Sequence, residues 1–263
     1  TVYANKKNIF YKSKKYFFQQ VFNYSDDKNQ ISNTKEIFSS ISAIGVRYFS
    51  IKENIDESEY GVYLAYPPYE LSSISKKARN QVRRGKERVN VVNEKITNKL
   101  LEKAYPIYFD NLKRLQIFKD DKSIINKWKL WVNAIKKTKI CEMWCAYKGD
   151  EMVAFTLLVF TPWGPEISMQ RLNIVHSKLY PNNALVYSVA KSVFKRGFKS
   201  LSYGLNKFDG EKSGIDHFKV NMNFKFTGLN EHFIWNPWIA PFFKIFKNKI
   251  VRIKTLRRLL GNL

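Results

Sequence analysis

The pattern of apolar and polar positions is clearest between Ile167 and Phe226, where it predicts three strands separated by two helices. Apolar and polar residues alternate along Ile167–Leu172, as in a half-buried strand. Apolar residues then recur at helical spacing over Ala184–Arg196, with Asn182 as the predicted N-cap and Gly197 as the stop. This part of the chain therefore predicts a strand that a charged, Asn-rich linker connects to a crossover helix.

A second strand, Lys199–Tyr203, follows the helix without an intervening loop. Two strands joined by one helix are expected to lie side by side and parallel, and such sheets bind ligands at the C-terminal ends of their strands. We therefore expect the chemistry of the chain near Arg171 and Tyr203, where these strands end, and in the short helix of Ser213–Phe226 beyond them.

The remaining periodicity predicts a smaller α/β lobe followed by a larger α/β domain. The predicted strands are Asn8–Tyr11, Tyr16–Phe22, Tyr48–Lys52, Gly61–Tyr66, Val89–Val92, Ile140–Tyr147 and Met152–Phe160, and the predicted helices are Thr34–Ile44, Leu71–Arg88, Thr97–Gln116 and Lys122–Lys137. The Met152–Phe160 strand is apolar on both faces, so we expect it at the centre of a mixed sheet. We divide the chain into an N-terminal lobe at 1–70, a domain at 71–236 and a helical tail at 237–263.

The composition is that of a folded protein, with 44% hydrophobic and 16% aromatic residues. The longest uncharged runs are too short to span a bilayer, and the first residues lack the apolar core of a secretory signal, so we expect a cytoplasmic protein. Cys141, Cys145 and three scattered histidines do not have the spacing of zinc ligands, which predicts free thiols and no metal. The sequence also lacks the motifs of P-loop ATPases, dinucleotide oxidoreductases, zinc proteases and serine hydrolases.

The formal net charge is +24, from 46 basic and 22 acidic residues. Such a charge favours polyanions, for example nucleic acid, an anionic membrane or a phosphorylated substrate. A lysine-rich genomic bias explains the total equally well, so local clustering is the better guide. In the Leu71–Arg88 helix, Arg79, Arg83 and Lys86 form one stripe, which is either a solvated face or a cradle for a phosphate or carboxylate.

Four segments resemble the GNAT acyltransferase superfamily, in the branch that contains the Fem-type aminoacyl transferases. They are SKKARNQVRRG at Ser75–Gly85, YPNNALVYSVAK at Tyr180–Lys191, SYGL at Ser202–Leu205 and SGIDHFKVNMNFKF at Ser213–Phe226. The resemblance implies a GNAT-like fold over roughly residues 70 to 235, with a shortened first lobe. One feature departs from it, because the chain has no glycine between Gln170 and Ala184, where GNAT enzymes bind the pyrophosphate of acetyl-CoA.

The resemblance also implies roles for particular residues. Lys219 matches the lysine of the family's "FK" pair, which is associated with the acyl end of the donor, and a cation there can stabilise an oxyanion. His217 is a candidate general base because imidazole titrates near neutrality. The expected catalytic residues are Asp216, His217 and Lys219, the expected donor-binding residues are Gln170, Arg171, Tyr180, Asn182 and Asn183, and the expected substrate-binding residues are Arg79, Arg83, Lys86, Tyr203 and Asp209.

Three functions remain open at this point. The first is an N-acyltransferase that moves an acyl group from acyl-CoA or a similar carrier to an amine, such as an amino sugar or an envelope precursor, without a permanently bound cofactor. The second is a Fem-type aminoacyl transferase whose donor is aminoacyl-tRNA. The third is a non-catalytic module that binds a membrane or nucleic acid on the same fold.

The tail at 237–263 is predicted to bind anionic membranes. It has seven basic residues and no acidic one, and its apolar residues share one helical face, although a helix packed on its own domain has the same pattern. We expect the full chain to sediment with vesicles that contain anionic lipid, and a chain truncated at Pro237 to sediment less. Equal sedimentation of the two proteins would reject the prediction.

Overall fold

The computed structural model of this chain describes most of the region after residue 60. The described residues are 2–4, 9–14, 17–20, 38, 44–51, 61–116, 120–161, 164–205 and 214–238. The chain divides into two compact units, one of Thr1–Glu53 with Leu229–Leu263 and the other of Asn54–Gly228. No helix within the described residues is both long and apolar enough to cross a membrane.

The first unit contains the predicted N-terminal hairpin. Its strands are β1 (Val2–Ala4), β2 (Ile9–Lys14), β3 (Phe17–Gln20) and β4 (Gly45–Ile51), together with the second half of β11 (Lys225–Trp235). The strands pair in the order β1-β2-β3-β4-β11, with β3 and β4 parallel and the other pairs antiparallel. Of the helix predicted at Thr34–Ile44, only Phe38, which is helical, and Ile44 are described, and the tail beyond Trp238 lies outside the described residues.

The second unit is built on a mixed sheet, as predicted. Its strands are β5 (Gly61–Ala65), β6 (Asn90–Glu94), β7 (Cys141–Lys148), β8 (Glu151–Thr161), β9 (Gly164–Leu172), β10 (Leu201–Leu205) and the first half of β11. Their order is β11-β5-β10-β9-β8-β7-β6, in which only β9 and β10 are parallel neighbours. The parallel pair and the β7–β8 hairpin confirm the sequence predictions.

Strand β5 lies in this second unit, although the sequence assigned it to the lobe at 1–70. All five of its residues are buried, and it pairs with β10 on one side and with β11 on the other. The two prolines after β5 interrupt secondary structure, but they do not separate β5 from the sheet that buries it.

Five described helices cover the two faces of the second unit's sheet. They are α1 (Lys76–Arg88), α2 (Asn98–Arg114), α3 (Asp121–Lys137), α4 (Pro181–Lys195) and α5 (Gly214–Asn221). Residues of α1 and α4 share a core with Leu158 of β8, whereas residues of α2 and α3 share a core with Phe155 and Leu157. Because side chains alternate along a strand, β8 is buried on both faces, which explains its continuous apolar sequence.

Helix α4 begins before the predicted N-cap, Asn182. Tyr180 is the capping residue, with φ 59° and ψ 38°, and Pro181 occupies the first helical position. Proline suits that position because its fixed φ is helical and its missing N–H has no partner there in any case. The predicted stop is correct, because the helix ends at Lys195 and Gly197 has φ 84°.

Helices α1 and α4 approach each other closely at Gly85. A Cβ atom on Gly85 would lie 2.7 Å from the carbonyl oxygen of Tyr180 and 3.1 Å from the Cβ of Ala184. The side chain of Asn183 strengthens this contact by donating a 3.2 Å hydrogen bond to Gln81 Oε1 on α1. Helix α1 therefore packs directly on the N-terminal end of α4.

We predict that Gly85→Ala destabilises the protein. Alanine is favoured over glycine by about 1 kcal/mol inside an open helix. At Gly85 the new methyl group meets backbone that cannot move independently, and overpacking of this kind costs about 1–3 kcal/mol. Urea denaturation should give a lower free energy of unfolding for this variant.

Gly214→Ala is the matched control, because a Cβ there meets nothing within 4 Å. Its free energy of unfolding should be unchanged or higher. If Gly85→Ala is as stable as Gly214→Ala, then the contact between α1 and α4 is looser than described.

Candidate active site

Strands β9 and β10 pair in register only at Glu166 and Ser202. Beyond that point β9 continues to Leu172 and β10 continues to Leu205 without further pairing between the two strands. Strand β10 also changes register against its other neighbour, β5. Gly204 lies in this irregular part with φ 69°, a conformation that favours glycine. The two strands therefore share no further register pair toward their C-terminal ends, and this unpaired stretch between them is the candidate cleft.

Helix α5 carries a buried ion pair next to this cleft. Asp216 and Lys219 lie three residues apart on one face of the helix and are only 4% and 5% exposed, with Lys219 Nζ 3.8 Å from Asp216 Oδ1. The same Nζ atom lies over two tyrosine rings, 4.6 Å from the centre of Tyr63 and 5.4 Å from the centre of Tyr203. A carboxylate and two aromatic faces thus compensate the buried ammonium group.

The pKa values in this cluster reflect burial and the charge of Asp216. Burial lowers the pKa of Lys219, and the nearby Asp216 and Glu166 carboxylates oppose this effect. Burial raises the pKa of Tyr63 to about 12, with further contributions from the charge of Asp216 and from a hydrogen bond to it. Tyr63 is therefore neutral near pH 7, and its hydroxyl donates to the carboxylate that faces Lys219.

Arg171 is a second cation at the cleft, and it is partly buried. Its Nη1 donates a 2.7 Å hydrogen bond to the Gln170 carbonyl oxygen, and the guanidinium carbon lies 5.9 Å from the ring centre of Tyr108. Burial lowers the pKa of Arg171, whereas Tyr108 and Tyr203 favour its charged form. Tyr203 thus interacts with both cations, the partly buried Arg171 and the buried Lys219.

The other predicted donor-binding residues gather where α4 begins. Gln170 Nε2 donates a 3.3 Å hydrogen bond to the backbone oxygen of Asn182, Tyr180 caps the helix, and Asn183 is only 6% exposed. The structure thus brings four predicted residues together, but α1 covers this end of the helix at Gly85.

The basic stripe on α1 does not act as a single unit. Arg79 donates hydrogen bonds to the carbonyl oxygens of Leu71 (2.9 Å), Ser72 (3.3 Å) and Ile74 (3.4 Å), so its guanidinium closes the preceding turn. Arg83 and Lys86 are exposed, with the Lys86 ammonium 5.9 Å from the ring centre of Tyr187. Only these two stripe residues are available to solvent.

The structure does not bring every predicted site residue together. His217 lies on the exposed side of α5, away from the buried Asp216 and Lys219, and Asp209 lies outside the described residues. Tyr63 and Tyr108 were missed, because nothing in their local sequence distinguishes them from ordinary core tyrosines. The described residues contain no group of three His, Cys, Asp or Glu side chains that fits a metal ion.

Comparison with known proteins supports the fold but identifies no family from sequence. No family model and no curated protein matches the chain. The crystal structure of FemX superposes with a TM-score of 0.63 at 13% identity, covering 91% of this chain and 86% of FemX. The C-terminal domain of a putative lysylphosphatidylglycerol synthetase from Agrobacterium fabrum gives a TM-score of 0.59 at 11% identity, over 95% of this chain and 88% of that one.

L-PGS from Bacillus licheniformis is also similar, with a TM-score of 0.54 and 14% identity over 97% of this chain and 86% of that chain. Identities this low establish a common architecture and nothing more. The parallel β9–β10 pair, the crossover helix α4 and the helix that carries Lys219 occur in the order that the sequence motifs predicted. The chain therefore has the fold found in FemX and in the lysylphosphatidylglycerol synthetase structures.

Proposed function

We propose that this chain is an acyltransferase that moves an acyl or aminoacyl group from a carrier to an amine acceptor. The observation that carries the proposal is the buried ammonium group of Lys219, held by Asp216 and two tyrosine rings beside the cleft between β9 and β10. A cation held in a desolvated position is well suited to stabilise charge that develops on a carbonyl oxygen. Burying the ammonium group costs desolvation energy, and its contacts with Asp216 and the two tyrosine rings offset this cost.

In the proposed reaction the amine nitrogen attacks the carbonyl carbon of the donor. The carbonyl electrons move onto oxygen, and Lys219 stabilises this oxyanion. When the intermediate collapses, the bond from carbon to the carrier's oxygen or sulfur breaks and the new C–N bond remains. The nitrogen gives up a proton to water and the leaving atom of the carrier takes one up, so the reaction needs no other reagent.

Asp216 and Tyr63 have positioning roles in this proposal. The Tyr63 hydroxyl holds the Asp216 carboxylate, and the carboxylate keeps Lys219 charged against the effect of burial. His217 is exposed on the other side of α5, so it has no part in this mechanism.

The start of α4 favours aminoacyl-tRNA over acyl-CoA as the donor. Free N–H groups at a helix N-terminus commonly bind phosphate. Here Pro181 supplies no N–H, Asn183 and Ala184 are buried, and Gly85 of α1 packs against the first turn. The absence of glycine between Gln170 and Ala184 agrees with this, and so do the structural neighbours FemX and lysylphosphatidylglycerol synthetase.

Helix α1 offers a surface for the phosphates of such a donor. Arg83, Arg84 and Lys86 are exposed, and all but one of the charged residues of the helix are basic. Lysine and arginine contacts to phosphate provide most of the sequence-independent affinity for nucleic acid. We also propose that the tail of residues 237–263 binds an anionic membrane. The protein would then be cytoplasmic and peripheral to that membrane.

We predict that Lys219→Met reduces turnover on the order of a hundredfold or more, because the oxyanion loses its electrostatic partner. Methionine keeps most of the side-chain volume but leaves the buried Asp216 carboxylate without its cation, so the free energy of unfolding should fall by about 3–5 kcal/mol. The rates are therefore compared at a temperature where the denaturation curves show both proteins to be folded. The measurements are the single-turnover rate and a urea denaturation curve for each protein.

Lys225→Met is the matched control, since Lys225 is an exposed lysine six residues further on, in β11. It should keep wild-type turnover. If Lys219→Met also keeps wild-type turnover, the cluster is structural and the proposed centre is incorrect.

We predict that a stable aminoacyl-tRNA analogue raises the melting temperature and that acetyl-CoA does not. A ligand at a hundred times its dissociation constant stabilises the native state by about 2.7 kcal/mol, which a thermal-shift assay detects. Deacylated tRNA at the same concentration and salt is the control, because a chain of net charge +24 binds RNA without specificity.

A response to acetyl-CoA alone would reverse the choice of donor. Equal responses to the aminoacyl analogue and to deacylated tRNA, without turnover, would favour a non-catalytic nucleic-acid-binding module.

A further inference from the structure

Arg171 is a partly buried cation with no counter-charge among the described residues. Its contacts within the described residues are one hydrogen bond to the Gln170 carbonyl oxygen, the ring of Tyr108 and an electrostatic interaction with Tyr203. Its Nε atom is buried and has no hydrogen-bond partner among those residues. A guanidinium has five N–H donors in a fixed fork, and for Arg171 only one hydrogen bond, from Nη1, is to a described residue.

Three other cations of the second unit have more partners. The exposed Arg196 places Nη1 2.6 Å from Glu142 Oε1, the partly buried Arg79 donates to three carbonyl oxygens, and the buried Lys219 faces Asp216. Arg171 therefore stands apart from them in the way its charge is compensated. Because arginine stays protonated even when burial lowers its pKa, this charge is permanent near pH 7.

The position of Arg171 relates this unsatisfied charge to the cleft. Arg171 is on β9, five residues after Glu166, which is the only residue of β9 in register with β10. It interacts with Tyr203, whose ring also lies under Lys219 Nζ. The side chain of Asn111 donates to the carbonyl oxygen of Leu172, so α2 holds the strand immediately beyond Arg171.

We propose that Arg171 binds an oxyanion, a carboxylate or a phosphate, carried by the amine acceptor that enters the cleft. This inference rests on the proposed function and names the class of its acceptor. The sequence resemblance implied the donor as the ligand of Arg171, and the phosphates of a donor are assigned here to the exposed basic residues of α1 instead. The acyl carbon of the donor carries no permanent negative charge, and Lys219 serves its oxygen. A second cation at the same cleft is suited to an anionic group of the other substrate, which the planar guanidinium binds in two-point fashion.

We expect Arg171→Met to have separate effects on anion affinity and on stability. Anion affinity should fall at least tenfold. The melting temperature without ligand should stay the same or rise, because methionine fills a similar volume without an uncompensated charge. A purely structural arginine predicts the reverse on both counts, since its loss would lower the melting temperature and leave anion binding intact.

The experiment titrates sodium phosphate and, separately, sodium acetate into the wild-type protein, with sodium chloride keeping the ionic strength constant. Thermal shift measures the saturable response. Arg196→Met is the matched control, as it removes a paired arginine outside the cleft, and it should keep the wild-type response. A response to phosphate indicates a phosphate-bearing acceptor, and a response to acetate indicates a carboxylate-bearing one.

The proposal is overturned if neither anion gives a saturable response in the wild type, or if Arg171→Met keeps that response. Should Arg171→Met fail to fold, Arg171→Lys is the second variant, because lysine keeps the positive charge but lacks the fork of N–H donors. Anion binding that is about tenfold weaker in Arg171→Lys supports the proposal, and unchanged anion binding overturns it. Acyl transfer by the wild type together with anion binding that is independent of Arg171 would remove this inference alone. Anion binding that requires Arg171, in a protein that transfers no acyl group to any amine, would instead remove the proposed function.

Discussion

The interrupted pairing of β9 and β10 is the constraint on which the arrangement of the site depends. Two parallel strands that share a single register pair leave backbone and side chains facing a gap where a sheet would normally be continuous. The crossover helix α4 packs on the same face of the sheet as α1. Helix α5 places the ammonium group of Lys219 over the ring of Tyr203.

The second unit holds two cations, Lys219 and Arg171, that differ in how their charges are compensated. Lys219 is compensated by a carboxylate and by aromatic faces, an arrangement that keeps it charged and fixes its direction. Arg171 has the aromatic neighbours but no described carboxylate. The difference matters chemically, because a cation that is already paired can stabilise a transient charge, whereas an unpaired one is suited to hold a permanent anion.

The close contact of α1 with α4 connects packing to the choice of donor. A helix N-terminus is an anion site only if its amides can be reached, and glycine at position 85 allows α1 to lie against the first turn of α4. The same contact leaves Arg83 and Lys86 on the outside of α1, where they meet solvent. One small residue thus allows the close packing of α1 on α4, and a basic surface lies beside this contact.

Much of this architecture could be predicted from the sequence alone. Alternation and helical periodicity predicted β7 to β9, α4, the parallel arrangement of β10 and the helix with Lys219, because these features depend on neighbours a few residues apart. The local rules failed where two signals competed, as at Asn182, where the proline before it moved the helix start to Tyr180.

Only the tertiary structure revealed the partners of the site. Tyr63 lies more than 150 positions before Lys219, and Tyr108 more than 60 before Arg171, so no local pattern relates them. The role of Arg79 likewise depends on the direction of the carbonyl oxygens in the turn before α1. The exposure of His217 depends on which face of α5 packs on the sheet. Secondary structure follows from short-range spacing, but which charges are buried together is decided by strand register and helix packing between distant parts of the chain.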